Sequence, residues 1–213
     1  MRPKRYARYF IITILALLLL GIESSVLVRP GERGVLLHWN KVQRGQILEE
    51  GFHFVLPLRD KVEITDIRPR RIETKIPAYS KDHNDVDVAC TLIFHPDPQR
   101  VDQLYEAAGR NYESQLILPA VHTVVKTTLA QYTPLEIADQ RPAIRERIKA
   151  LLRDRLANNH LIVDEFAIID FQFSEAVERA MEEKLIAKQK ALQAENKRQQ
   201  IEAEKALRRS KRK

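Results

Sequence analysis

The sequence predicts an α+β protein in three parts: an N-terminal transmembrane helix, a small domain of antiparallel strands with packed helices, and a long C-terminal helix of coiled-coil type. Three observations carry this prediction. A basic cluster precedes an uncharged apolar run at the start of the chain. Strand signals fill residues 30–98 and then give way to helical spacing. All six glycines lie at or before Gly109 and no proline follows Pro142, so nothing punctuates the C-terminal part of the chain.

Arg2, Lys4, Arg5 and Arg8 stand before Tyr9 to Ile22, a stretch of 14 residues with neither charge nor proline. That run is short for a full span, but no small-x-small cleavage pattern follows it. Continued to Val28, a helix reaches about 30 Å, enough to cross a hydrocarbon core. Residues 9–28 are therefore read as an uncleaved anchor, with a cleaved signal peptide as the alternative. Four basic residues precede the span and two, Arg29 and Arg33, follow it closely. This bias keeps residues 1–8 on the cytoplasmic side and puts the main domain, residues 29–173, on the extracytoplasmic, periplasmic-type side.

The formal net charge of +7 raises a nucleic-acid reading, which its distribution argues against. Ten of the 36 Lys and Arg residues lie in positions 1–10 and 205–213, where there is no Asp or Glu. The intervening body carries 26 basic against 29 acidic residues, a net of −3. A nucleic-acid module concentrates positive charge on its folded domain; basic ends on a slightly acidic body fit membrane topology and lipid headgroups better.

Strands are predicted at Gly34–Trp39, Phe52–Leu56, Val62–Ile67 and Asp85–His95. In the last, Val86, Val88, Cys90, Leu92 and Phe94 share one face, so the lone cysteine is read as a buried core residue, with a reactive or acylated thiol as the alternative. Helices follow at Pro98–Ala108 and Tyr112–Leu129, with Pro119 bending the second or displacing its start. Thr133-Pro134-Leu135-Glu136 has capping-box spacing. Asp139 is expected to cap the next helix, along which Ile144, Ile148, Leu151, Leu152 and Leu156 recur, and Asn158-Asn159 to end it. Leu161–Phe173 returns to strand character.

From Ser174 to Lys213 the sequence reads as one charged, alanine-rich helix. Leu185, Leu192 and Ala206 fall on a seven-residue step that Gln199 interrupts, while Lys188, Glu195 and Glu202 make the companion positions polar. This is not an ordinary leucine seam. Such a helix projects as a solvated rod or packs beside copies of itself, with Val177, Met181, Leu185, Leu192 and Ala206 as the candidate self-packing residues.

No constellation for catalysis stands out: there is no Gly-rich phosphate loop, no Gly-x-Ser-x-Gly elbow and no His-Glu-x-x-His. Asp82-His83-Asn84-Asp85-Val86-Asp87 offers metal-ligand types without a completed calcium-loop spacing, and turns favour Asp and Asn in any case. His53 and His95 are read as structural hydrogen-bonding residues. No enzyme activity, cofactor or metal is expected.

Several segments in order give a family resemblance over about residues 24–205. They are Gly34-Val35-Leu36-Leu37, Glu49-Glu50-Gly51-Phe52-His53-Phe54-Val55-Leu56-Pro57, Arg68-Pro69-Arg70 and Ser80-Lys81-Asp82. Asn111-Tyr112-Glu113, Leu118-Pro119, Gln140-Arg141 and Phe173-Ser174-Glu175-Ala176-Val177-Glu178 complete the series. The chain resembles a prohibitin, within the stomatin, prohibitin, flotillin and membrane-protease-modulator group that shares the SPFH or band 7 domain. The resemblance implies a small α/β domain at the membrane surface whose long helices assemble into a ring or cage wall. It also implies a scaffold that organises a membrane patch and modulates membrane proteins or an ATP-dependent membrane protease. Expected partners are the chain itself or a related longer subunit, and membrane lipids, with no nucleic acid.

Within this frame Phe52, Phe54, Val55 and Leu56 are candidate membrane-interface residues, and burial in the domain core is the equal alternative for them. The cationic segment Arg208 to Lys213 stands where prohibitins usually continue their coiled coil. Repulsion among such ends points to a longer partner or to smaller, open assemblies. An envelope transport adaptor, bridging membrane components through its helical rod, is the second functional reading.

Overall fold

The computed structural model describes residues 25–56 and 59–210. Within them an α+β domain of eight strands and packed helices precedes one long helix. Residues 9–24 of the expected anchor lie outside the described residues, and its last four do not continue a helix. Ser25–Val28 instead form strand β1, which pairs antiparallel with β4 (Gly51–Phe54). Its valines are β-branched and its burial alternates, Val28 inward and Leu27 outward, the period of a strand. Among the described residues no helix is long and apolar enough to cross a membrane.

Arg29-Pro30-Gly31-Glu32 turns the chain into β2 (Glu32–His38). The Glu32 amide donates to the Arg29 carbonyl at 3.0 Å, and Gly31 supplies the positive φ of 85° that a Pro-Gly turn of this kind requires. Strand β2 lies between β3 (Lys41–Leu48) and β5 (Asp60–Asp66) in a three-stranded antiparallel sheet. Strand β3 went unrecognised in the sequence because it is bulged. Gln43 to Gln46 lie between the partners Val42 and Ile47, opposite the single residue Leu36.

A second antiparallel sheet holds β6 (Arg70–Tyr79), β7 (Asp85–Pro96) and β8 (Leu161–Phe173), in that order. As the alternation in β7 predicts, Val86, Val88, Cys90, Leu92 and Phe94 are all buried, and Cys90 is a free thiol in the core. One face of this sheet carries the helical layer. It comprises α1 (Val101–Ala108), a 3-10 turn at Gly109–Asn111, a π turn at Glu113–Ile117, α2 (Leu118–Leu129), α3 (Pro134–Asp139) and α4 (Arg141–Ala157). Pro119 displaces the α-helical start rather than bending the helix: it sits in the first turn of α2, where its missing N–H costs no hydrogen bond.

Three helix expectations are corrected. Gln140, not Asp139, precedes α4 and makes no side-chain cap; Asp139 is instead the last residue of α3. Asn158 does end α4, as expected, but it keeps right-handed geometry, and the left-handed residue that glycine would have supplied is His160, at φ 59°. In α4, Ile144, Ile148, Leu152 and Leu156 are fully buried, whereas Leu151 lies one residue off that stripe and is exposed. Each of the four buried chains contributes about 1.5–3 kcal/mol of apolar burial.

The principal core joins these residues to Val121, Val125 and Leu129 of α2 and to Phe94 and Phe166 of the sheet. A smaller cluster of Val35, Leu37 and Val101 seats α1 on the three-stranded sheet. The last element, α5 (Glu175–Ser210), follows β8 after one residue, Ser174, whose carbonyl accepts from the amides of Val177 and Glu178.

Candidate functional site

The pairing of β1 with β4 fixes which side chains meet water. Leu27 stands opposite Phe52, and Ser25 opposite Phe54, so Leu27, Phe52 and Phe54 share one face. All three are exposed, Phe54 at 78%, and the two phenyl rings meet edge to face with centroids 5.0 Å apart. Leu56 beyond the strand is also exposed, while Val55 is half-buried. Of the two readings of this apolar set, burial in the core fails for three of its four members. The opposite face of the pair turns inward, with Val28 buried. The His53 ring donates from Nε2 to the Glu49 carbonyl at 2.8 Å, the structural role expected of it. The exposed apolar side chains thus form one contiguous face on the β1–β4 ribbon.

Sequence reasoning missed Trp39. It opens the two-residue turn between β2 and β3, whose flanks His38 and Lys41 are partners, and its side chain is 70% exposed. Beside it His38 Nδ1 lies 2.9 Å from Asp60 Oδ1, and Arg59 Nε donates to the same oxygen at 3.2 Å. The hydrogen bonds from Arg59 and then His38 hold the Asp60 carboxyl below the usual aspartate range. The available signal was the His38-Trp39-Asn40-Lys41 string, in which Asn40 takes the left-handed turn conformation at φ 63°.

The rod divides the expected self-packing residues into two groups. Val177 and Met181 are half-buried and line a groove of about 260 Å³ with Thr133, Leu135, Asp82 and Asn84. Their apolar side chains find the start of α3 and the β6–β7 turn, so they seat the rod on the domain. Leu185 and Leu192, with Ile186 between them, are exposed, as is every residue from Glu182 to Gln200. Ala206 belongs to the helix as well.

The Asp82–Asp87 segment spans the end of the turn joining β6 to β7 and the first three residues of β7, which opens at Asp85. The Asn84 amide donates to Ser80 Oγ at 3.1 Å, the Ser80 amide donates to the Asn84 carbonyl at 2.9 Å, and His83 takes φ 60°. Among the described residues no three His, Cys, Asp or Glu side chains gather closely enough to hold a metal ion. His95 Nδ1 lies 2.8 Å from Asp164 Oδ2 across the β7–β8 ladder. Burial pushes the Cys90 thiol up to about 11.

The model of the SPFH domain / Band 7 family matches residues 26–206. Prohibitin-2 of Mus musculus is 31% identical over 177 residues, which cover 82% of this chain and 59% of that protein. Mitochondrial prohibitin complex protein 1 of Caenorhabditis elegans is 30% identical over 178 residues, 82% of this chain and 64% of its own. Prohibitin-2, mitochondrial, of Arabidopsis thaliana is 27% identical over 167 residues, 78% of this chain and 58% of its own. The chain spans less than two thirds of the length of these curated relatives.

Proposed function

This chain belongs to the SPFH domain / Band 7 family, and from that premise we propose that it is a membrane-anchored oligomeric scaffold of prohibitin type. It organises a patch of bilayer and modulates membrane proteins or an ATP-dependent membrane protease. The domain sits on the extracytoplasmic side of a single-pass anchor, with the face of Leu27, Phe52, Phe54 and Leu56 toward the lipid. Its partners are further copies or a longer related subunit, in keeping with a relative named as part of a prohibitin complex.

The observation that carries this reading is the rod. Helix α5 runs for 36 residues, and beyond Met181 every described side chain up to Gln200 is exposed. A helix of about 54 Å with no partner gains little from tertiary packing, on which most helical stability in proteins depends. Side-by-side assembly supplies that packing to Leu185, Ile186 and Leu192.

Mass photometry of the detergent- or nanodisc-extracted chain, with and without residues 174–213, tests the reading. A large assembly that collapses when the helix is removed supports the scaffold and locates its assembly energy in the rod. A monomer in both cases rejects homomeric assembly. Co-extraction with a membrane protease tests the modulatory role separately.

A further inference from the structure

Trp39 occupies a poor position for a bulky residue. It begins a two-residue hairpin turn at φ 48°, with Asn40 following at φ 63°, where Asn and Gly are the favoured residues. Its ring is not there to fill the core, being 70% exposed. The turn is nevertheless tied to the aromatic strand pair. The Trp39 amide donates to the Arg59 carbonyl at 2.9 Å, and the Leu56 carbonyl accepts from the amides of Arg59 at 2.9 Å and Asp60 at 2.7 Å. His38 and Asp60 are partners across β2 and β5. Trp39 and the exposed Leu56 therefore stand at the same end of the domain, connected through backbone hydrogen bonds.

We propose that the Trp39 turn is a second lipid contact, its indole seated at the headgroup–acyl boundary of the bilayer that Phe52, Phe54 and Leu56 also face. This rests on the membrane reading above. Lipid is the occupant favoured by three observations. The uncharged run ends at Ile22 and β1 begins at Ser25, a step of at most about 10 Å, so the strand pair starts beside whatever holds that run. An indole combines an apolar body with one N–H donor, which suits the interface between hydrocarbon and water. Lys41, exposed at the flank of the turn, and Arg59, exposed though paired with Asp60, bring cationic side chains to this end of the domain, and aromatic side chains together with cations are what an anionic headgroup layer binds.

Trp39 is the chain's one tryptophan, so native fluorescence reports on this residue without mutation. The full-length chain is reconstituted into phosphatidylcholine–phosphatidylglycerol vesicles and checked by flotation. Trp39 emission is then read with aqueous iodide and with lipids brominated high on the acyl chain. The proposal expects a floating chain, blue-shifted emission, loss of iodide quenching and quenching by the brominated lipid. A chain that floats while Trp39 stays open to iodide and insensitive to bromine overturns the proposal and leaves the membrane reading standing. Loss of iodide quenching without bromine quenching places protein, such as a second copy, over the indole and also overturns it. A chain that does not float overturns both.

Discussion

Arg110 Nε donates a 2.7 Å hydrogen bond to Oε2 of Glu63, a carboxylate almost wholly buried on β5. Lys61 Nζ approaches the other oxygen at 2.8 Å. The contact ties the three-stranded sheet to the short turn after α1, joining the strand half of the domain to its helical layer.

Burial alone raises the Glu63 pKa, but the hydrogen bonds from Lys61 and Arg110 outweigh it and hold the carboxyl below the usual glutamate value of 4.5. A depressed folded pKa means stability that is present above the unfolded value and is lost as pH falls through the folded one. Glu63→Gln should therefore be less stable than the parent at neutral pH by about 1.5–3 kcal/mol. The gap should narrow as pH drops below 4.5. Urea unfolding of the full chain in detergent across that range measures both.

At α3, Thr133 and Glu136 form a reciprocal cap. The Thr133 amide donates to Glu136 Oε2 at 2.8 Å, and the Glu136 amide donates to Thr133 Oγ1 at 3.4 Å. The backbone bond from Thr133, then its hydroxyl, lowers the Glu136 pKa. Thr133→Ala should cost about 1 kcal/mol, read as a melting-temperature drop of about 2–4 °C.

Leu151 and Leu152 are adjacent in α4 but differ in environment, the first exposed and the second fully buried. Leu152→Ala should lose about 2–5 kcal/mol, while Leu151→Ala should stay within about 0.5 kcal/mol. Equal losses by denaturant titration would contradict the helix orientation.

Two glycines should resist substitution for different reasons. Gly45, at φ 79°, has open space around it, so Gly45→Ala carries only backbone strain of about 1–2 kcal/mol. A β-carbon on Gly34 would come within 2.9 Å of Val62 Cγ1 and 3.0 Å of Leu48 Cβ. Gly34→Ala should cost about 1–3 kcal/mol from overpacking. Adding Val62→Ala should recover part of the Gly34→Ala loss and none of the Gly45→Ala loss.

Cys90 should be inert in the folded chain at mildly alkaline pH, since burial raises its thiol to about 11 and thiolate is the reacting form. A disulfide-exchange reagent should label it at the rate of unfolding, so stabilised and destabilised variants should differ in labelling rate accordingly.

What was legible in the sequence is what local chemistry determines. The β7 face needs only alternation, and the α3 cap needs only Thr, Pro and Glu at fixed offsets. Strand β6 was hidden because Arg71, Glu73 and Lys75 on its outer face, with Pro77 interrupting, dilute a buried face made by Ile72, Ile76 and Ala78. Strand β1 was hidden inside the expected anchor, because Val26, Leu27 and Val28 resume apolar character soon after the run that ends at Ile22. In the candidate site, the apolar character of Phe52–Leu56 was plain but its exposure was not, since that depends on which residues of β1 it meets. Val177 and Met181 fit the rod's apolar line, yet only tertiary placement shows them set against Thr133 and Leu135.

One residue, Ser174, separates β8 from α5. With so short a joint, and with Val177 and Met181 set against Thr133 and Leu135, the base of the rod follows the domain that carries it. At about 54 Å the rod is a lever, and a tilt of about 10° at its base moves the far end by about 9 Å. Small rocking of a domain against its support thus becomes a displacement near the width of a neighbouring helix. Any array of such levers would register, at its far rim, angular changes too slight to see at its foot.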